Sequence, residues 1–116
     1  SEDNTTDSIP GPFVVQNDGN ILTNITITGT KPFSSALAAF PGLNFQFKVG
    51  YNESGSFNLG LSTITFTNMT NVSSAVDIRD LEWNNSKDAA KADLFVRVPS
   101  DEPPGNRNST VTFETV

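Results

Sequence analysis

Clustered acidic side chains are the residues of this chain whose types and spacing come closest to chemistry. Asp77, Asp80 and Glu82 lie close together in the sequence. Because Ca²⁺ takes several hard oxygen ligands, this group is a candidate calcium site. The spacing departs from the Asp-x-Asp-x-Asp-Gly run of dedicated calcium loops, and strand alternation would place Asp77 beside Arg79 on an outer face, where the two would pair. The sequence therefore favours solvated surface carboxylates over a metal site.

Other catalytic groups are scarce. The chain has no His and no Cys, so it lacks the commonest general base, the commonest zinc ligand and any thiolate nucleophile or disulfide. A glycosidase needs two carboxylates facing each other across a cleft, for which a small β domain has little room. Ser with Lys could form a nucleophile pair, but the sequence has no Gly-x-Ser-x-Gly elbow, and its Ser residues fall in polar turns. We predict a protein that is not an enzyme and uses no cofactor.

Asn-x-Ser/Thr sequons are the most frequent motif. The 13 Asn and 25 Ser or Thr among 116 residues would give about three sequons by chance. Each is an N-glycan acceptor pattern typical of the surface of a secreted protein, although Asn- and Thr-rich β sequences also produce sequons that carry no glycan. The chain has seven, none with Pro in the middle: Asn4, Asn24, Asn52, Asn68, Asn71, Asn84 and Asn108.

Composition limits the setting. A chain of 116 residues fits one domain, and its net charge of −6 disfavours nucleic acid as a partner and repels anionic membranes. The longest apolar stretch, residues 36–40, is too short to span a bilayer. The chain begins at Ser1 without Met or an apolar leader, which we interpret as a mature secreted form, although a recombinant fragment would look the same. Many sequons without Cys favour an archaeal exterior protein, extracellular or at the cell surface.

An extended arm precedes the domain. Residues 1–12 are polar and acidic, and Pro10 and Pro12 favour an extended path over a helix. Such a terminus is ordered only when it docks, either on its own domain or on a neighbour. We predict that the arm, together with residues 13–16, is a candidate donor strand.

Alternating apolar residues dominate the remainder, residues 13–116. Strand patterns fall at residues 13–16, 21–28, 45–49, 62–67, 75–83, 92–98 and 111–113, and residues 17–20 form a turn signal. Residues 33–40 are the one candidate helical turn, placed to cap an end of the sheets. About seven or eight short antiparallel strands predict an all-β chain, a single Ig-like or jelly-roll-type β-sandwich with most Phe rings inward.

Two aromatic residues have alternative interpretations. Trp83 is the only Trp, and a buried position is favoured over an exposed one that would stack on a sugar or anchor an interface. Tyr51 is interpreted as a loop aromatic. The Pro-Pro-Gly run at residues 103–105 is interpreted as a rigid connection between strands rather than a recognition motif.

Two segments resemble a family pattern. Residues 13–20 (FVVQNDGN) and 24–27 (NITI) resemble the "V-x-N-x-G-N…N-V-T-V" opening of immunoglobulin-like modules in archaeal and bacterial surface proteins. Residues 96–99, 103–105 and 109–113 resemble the ending of those modules, a strand, a Pro-Pro-Gly turn and a strand. The second half of that ending is also similar to TasA-like fibre proteins and archaeal bundling pilins.

Over most of residues 13–113 the chain resembles uncharacterised exported proteins of small-genome (DPANN) archaea. The motifs that carry this resemblance are structural turns. The resemblance implies a secreted β-sandwich that assembles, and it implies no catalytic residue.

The leading functional prediction is structural: a glycosylated subunit of a cell-surface filament, a head-to-tail homopolymer built by β-strand addition (donor-strand complementation). Ile9, Phe13 and Val15 are the candidate inserting side chains, and the acceptor lies beside an edge strand that the sequence does not identify. The alternative is a cell-surface adhesion or S-layer-associated Ig-like binding module, which would use Trp83, Tyr51 or the acidic loop. A third interpretation is a fragment of a longer repeat protein, with the arm as a linker.

Overall fold

The chain consists of short strands joined by turns and loops. The computed structural model describes residues 2–4, 12–35, 38–72 and 75–116. This part of the chain contains one 3-10 turn, Leu59–Leu61, and no α-helix, so no helix in it is long and apolar enough to cross a membrane. The strands are β1 (Glu2–Asn4), β2 (Phe13–Gln16), β3 (Thr23–Gly29), β4 (Phe45–Tyr51), β5 (Thr67–Asn68), β6 (Ile78–Leu81), β7 (Ala89–Arg97) and β8 (Val111–Thr115).

The strands form two antiparallel sheets. The larger sheet has the order β1-β7-β4-β5 with β2 also on β7, and the smaller sheet has the order β6-β3-β8. β1 and β2 share one edge of β7, because β1 pairs with Phe95–Arg97 and β2 pairs with Ala89–Ala92. The predicted all-β sandwich is confirmed.

Alternation along the central strands builds the core. Phe45, Phe47 and Val49 of β4 are all buried, and they face Ile25 and Ile27 of β3 in the same apolar cluster. Burying one such side chain contributes about 1.5–3 kcal/mol, so these two strands account for much of the stability. The remaining cluster members come from several elements: Phe57, Met69, Ile78, Leu81, Ala90 and Ala92.

Two predicted elements are absent from the described residues. Of the alternating pattern at residues 62–67, only Thr67 lies in a strand, β5, because the main-chain groups of Thr63 join the two sheets instead of a ladder. Val49 N–H donates to Thr63 O at 2.8 Å, and Thr63 N–H donates to Asp77 O at 3.0 Å. The expected helical turn at residues 33–40 is not helical where it is described, because the loop after β7 binds it. Ser35 N–H donates to Glu102 Oε1 at 2.8 Å.

The turn signal after β2 connects the two sheets rather than forming a hairpin. β2 belongs to the larger sheet and β3 to the smaller one. The buried Asn17 fixes the crossing, since its Nδ2 donates to Ile21 O at 2.9 Å and to Leu81 O at 3.0 Å. An Asn that bonds backbone atoms on either side of a turn favours this local geometry.

Candidate strand-accepting edge and groove

The outer edge of β8 carries unpaired main-chain groups. Thr30 N–H donates to Thr110 O at 3.1 Å, and Val116 N–H donates to Asn24 O at 3.0 Å. Hydrogen bonding alternates along an antiparallel strand, so the even-numbered residues of β8 bond to β3. The N–H and C=O groups of Val111, Phe113 and Thr115 therefore point away from the sheet. Within the described residues they meet no main-chain partner, which makes β8 an open edge.

The opposite side of the sandwich is closed by main-chain bonds. Thr63 bridges β4 to the residue before β6, as described above, and Gly29 N–H donates to Thr70 O at 2.9 Å. The segment around the 3-10 turn also covers the edge of β6. Asn58 N–H donates to Arg79 O at 2.9 Å. On the β8 side, the rings of Phe13 and Phe113 meet edge to face, with centroids 5.9 Å apart. The sandwich therefore has one side that main-chain bonds bridge, which we call the bridged side. On the other side β2 and β8 meet through Phe13 and Phe113, and we call this side the seam.

An apolar groove of about 640 Å³ opens at this seam. Its walls come from both sheets and from the loops at one end of the molecule. The lining is mainly apolar, which matches the chemistry of side chains that an added strand would insert. The side chains concerned are Phe13, Phe33, Phe45, Leu94, Val96, Val98 and Val111, with Pro32 and residues 107–110 at the rim.

The predicted donor side chains divide between described and undescribed parts of the chain. Phe13 and Val15 lie in β2, opposite Ala92 and Ala90 of the chain's own β7. Val15 packs against the core, whereas Phe13 is 48% exposed and lines the groove. Ile9 lies outside the described residues.

An ion pair beside the groove orders the loop after β7. Arg107 Nε bonds Glu102 Oε2, and the N–H groups of Ser34 and Ser35 donate to the same carboxylate. Burial opposes the charged form of Glu102, but Arg107 and these N–H groups outweigh it and hold the pKa at about 2. The loop is thereby tied to the segment that follows β3.

The predicted calcium ligands are not brought together. Asp77 is buried, and its carboxylate accepts from Ile27 N–H and from Thr63 Oγ1, both at 2.8 Å, rather than pairing with Arg79. Burial raises its pKa, against the lowering effect of those two bonds. The backbone N–H of Asp80, at φ 58°, donates to Asn24 Oδ1. Among the described residues, no three acidic groups are placed to hold a metal ion.

The sequons fall mostly at exposed positions. Asn52, Asn71, Asn84 and Asn108 are exposed, and the side chain of Asn4 lies outside the described residues. Asn24 and Asn68 are partly buried. Their Oδ1 atoms accept from Asp80 N–H and from Gln46 Nε2, both at 2.9 Å. A glycan is attached through the side-chain nitrogen, so these bonds to oxygen are compatible with the acceptor role.

Trp83 lies outside the core, contrary to the favoured expectation. It is 48% exposed because it follows β6 and projects past the end of the sheet. Ile21, two residues before β3, is itself 68% exposed. Tyr51 ends β4 and packs edge to face on Phe57, with 5.1 Å between the ring centroids.

Comparisons of the chain with protein-family models, curated proteins and solved structures find no match. The open edge and the groove therefore stand on geometry alone. Sequence reasoning identified β8 as a strand through Val111 and Phe113 but not as the open edge. Edge position depends on which distant strands pair, and no local signal in residues 111–115 records it.

Proposed function

We propose that this protein is an extracellular structural subunit, glycosylated, which forms a cell-surface filament by β-strand addition between copies. One observation supports this most: the N-terminal segment already acts as an added edge strand. β1 and β2 lie along the outer edge of β7, and the chain between them spans residues 5–12, whereas Asp93 and Leu94 alone separate their partners on β7. The segment therefore has more length than the edge requires.

In the described part of this segment, the contacts are main-chain pairing at β1 and β2 and the packing of one side chain. β1 pairs over three residues. A net main-chain hydrogen bond contributes about 0.5–1.5 kcal/mol, so the main-chain pairing of β1 contributes a few kcal/mol. In β2, Phe13 and Val14 are 48% and 56% exposed, which leaves Val15 as its main side-chain anchor. A strand held this way can leave its own sheet and pair with another subunit at little cost.

Such a contact generates a filament. The donor segment and the acceptor edge are different surfaces of one chain, so the contact is heterologous and need not close into a ring. Glycans at the exposed sequon asparagines would keep the polymer soluble and block pairing at unintended edges.

Deletion of residues 1–12 tests the proposal. We expect filaments in electron micrographs of the full chain, and folded monomers with an unchanged β-type circular dichroism spectrum from the deletion variant. A matched control replaces residues 1–12 by a Gly/Ser segment of equal length, which should also fail to assemble. Filaments formed by the deletion variant would contradict the proposal.

One observation favours the second candidate, a cell-surface adhesion or S-layer-associated binding module. Trp83 and Ile21 are both exposed, and an exposed indole is suited to stacking on a sugar ring. Saturable quenching of the single Trp by added oligosaccharides, in a chain that stays monomeric, would favour this function over the filament.

A further inference from the structure

We propose that Asn84 is the sequon residue that the folded chain presents for N-glycosylation, and that the first sugar of its glycan stacks on the indole of Trp83. This inference rests on the glycosylation that the proposed function includes. It adds which of the seven sequons is modified, and it gives the exposed Trp83 a ligand within its own chain.

The loop between β6 and β7 is an exposed segment on a fixed base. Residues 83–87 are all exposed, and main-chain bonds hold the residues on either side of them. Glu82 N–H donates to Ser56 O at 2.8 Å. Asp88, which is buried, donates its N–H to Glu53 Oε1 at 3.0 Å. The sequon in this loop therefore has a defined position while its side chains face solvent.

The hydrogen bonds of the sequon leave the acceptor nitrogen unoccupied. Ser86 donates to Asn84 Oδ1 twice, from its N–H at 3.2 Å and from its Oγ at 3.1 Å. Lys87 N–H donates to Asn84 O at 2.7 Å and closes the turn. Within the described residues, Asn84 Nδ2 makes no hydrogen bond. The side chain is thus held through its oxygen, and the nitrogen that would bond a sugar has no competing partner.

Two other sequons lie within strands and include buried residues. The middle residues of the Asn24 and Asn68 sequons, Ile25 and Met69, are both buried. An enzyme that must hold three consecutive residues would have to open the sandwich to reach them. These two sequons are therefore poor acceptors once the chain has folded.

The remaining described sequons are tied to neighbouring elements. The sequon of Asn52 contains Glu53, whose carboxylate accepts from Asp88 N–H as described above. The sequon of Asn108 contains Ser109, whose Oγ donates to Thr30 O at 2.7 Å. Those of Asn4 and Asn71 end at residues that the structure does not describe. Among the fully described sequons, residues 84–86 alone are exposed at every position and bonded only within their own turn.

The transfer takes a sugar from a lipid diphosphate donor. A bond forms between Asn84 Nδ2 and C1 of the sugar, and the bond from C1 to the phosphate oxygen breaks. The amide nitrogen loses one proton, and the lipid diphosphate leaves. No oxidant or reductant takes part, and a separate glycosyltransferase catalyses the step.

Trp83 offers the first sugar an apolar surface. It is 48% exposed, although large aromatic rings are usually buried. Consecutive Cα atoms lie about 3.8 Å apart, so a sugar joined to Asn84 is within reach of the indole. The C–H groups on one face of a sugar ring can pack on an aromatic ring, while the sugar hydroxyls stay in water. A glycan at Asn84 would therefore cover part of the apolar area that the fold leaves exposed.

A matched pair of substitutions at Ser86 tests the site. Ser86→Ala destroys the sequon, whereas Ser86→Thr preserves it. The natural chain and both variants are purified from the cells that produce the protein, and glycopeptides are mapped by mass spectrometry. We expect a glycan at Asn84 in the natural chain and in Ser86→Thr, and none there in Ser86→Ala.

Fluorescence of the single Trp tests the stacking. Quenching by acrylamide should be about twofold weaker in the natural chain and in Ser86→Thr than in Ser86→Ala, because a stacked sugar covers one face of the ring. The same three chains made in a host without N-glycosylation give the baseline for each sequence. Equal quenching with and without a glycan at Asn84 would overturn the stacking on Trp83.

The glycopeptide map separates failure of this inference from failure of the proposed function. Glycans at other sequons with none at Asn84 would overturn the inference and leave a glycosylated subunit. A chain without any glycan would overturn both the inference and the glycosylation in the proposed function. If the chain carries no glycan at Asn84 and added oligosaccharides quench Trp83, the indole belongs to a binding module and the inference is overturned.

Discussion

Replacing Asp77 should destabilise the sandwich by an amount that depends on the replacement. Its two oxygens accept from Ile27 N–H on β3 and from Thr63 Oγ1 on the bridging segment, each at 2.8 Å. Asp77→Ala removes both bonds and leaves the buried Ile27 N–H without an acceptor, which costs about 1–3 kcal/mol by itself. Together with the lost bond to Thr63, the expected loss in unfolding free energy is about 2–4 kcal/mol.

Asp77→Asn is the matched control. The amide oxygen can accept from Ile27 N–H, and the amide nitrogen can donate to Thr63 Oγ1, because a hydroxyl also accepts. Asn also avoids burying a charge. We expect a change below about 1 kcal/mol. Urea unfolding at pH 7, followed by far-ultraviolet circular dichroism, measures both variants. An Ala variant within about 0.5 kcal/mol of the natural chain, or an Asn variant as unstable as Ala, would refute this account of the site.

The pH dependence gives the same site an independent check. Burial raises the pKa of Asp77 above its usual 3.8 in the folded chain, so the folded state binds this proton more tightly than the unfolded state. The contribution of Asp77 to stability therefore grows as pH falls through its folded pKa, and it is lost again as pH rises. Because Asn does not titrate, the unfolding free energy of the natural chain should rise relative to that of Asp77→Asn as pH falls from neutral to about 4. If the natural chain instead loses stability relative to Asp77→Asn as pH falls, the raised pKa of Asp77 is refuted.

Two further predictions concern the loop after β7 and the close approach of two core elements. Arg107 holds the pKa of Glu102 at about 2, so the advantage of the natural chain over Glu102→Gln in thermal melting should be present above pH 4.5 and disappear as pH falls toward 2; a constant difference would contradict it. A Cβ on Gly29 would lie 2.7 Å from Cγ of the buried Met69, so Gly29→Ala should cost about 1–3 kcal/mol in urea unfolding, whereas Gly60→Ala, with its nearest atom at 3.6 Å, should be close to neutral.

Strands with a two-residue apolar period were predictable from the sequence. β4 and β8 follow their alternation because one face of each strand meets the core. Residues 62–66 alternate equally well, yet they form no strand, and Ile64 is 45% exposed. Their main-chain bonds run between sheets, and the pattern of a sequence cannot distinguish a bridge of that kind from a ladder.

The candidate site was predictable only in part. The prolines of the N-terminal segment predict an extended path, but its pairing with β7 depends on long-range register. Trp83 was expected in the core because large aromatic residues are usually buried. Its exposure follows from the end of β6 at Leu81, two residues earlier, and strand ends are set by tertiary packing as much as by local composition.

The bridged side and the seam differ in how readily their main-chain amides exchange with solvent. Amides of Gly29, Val49 and Thr63 are held in bonds that cross between elements on the bridged side, and they can exchange with solvent only when that side separates. Amides of Val111, Phe113 and Thr115 face outward from β8 and are available without any opening. We therefore expect hydrogen exchange to be slow at the amides of the bridged side and fast at the outward-facing amides of β8.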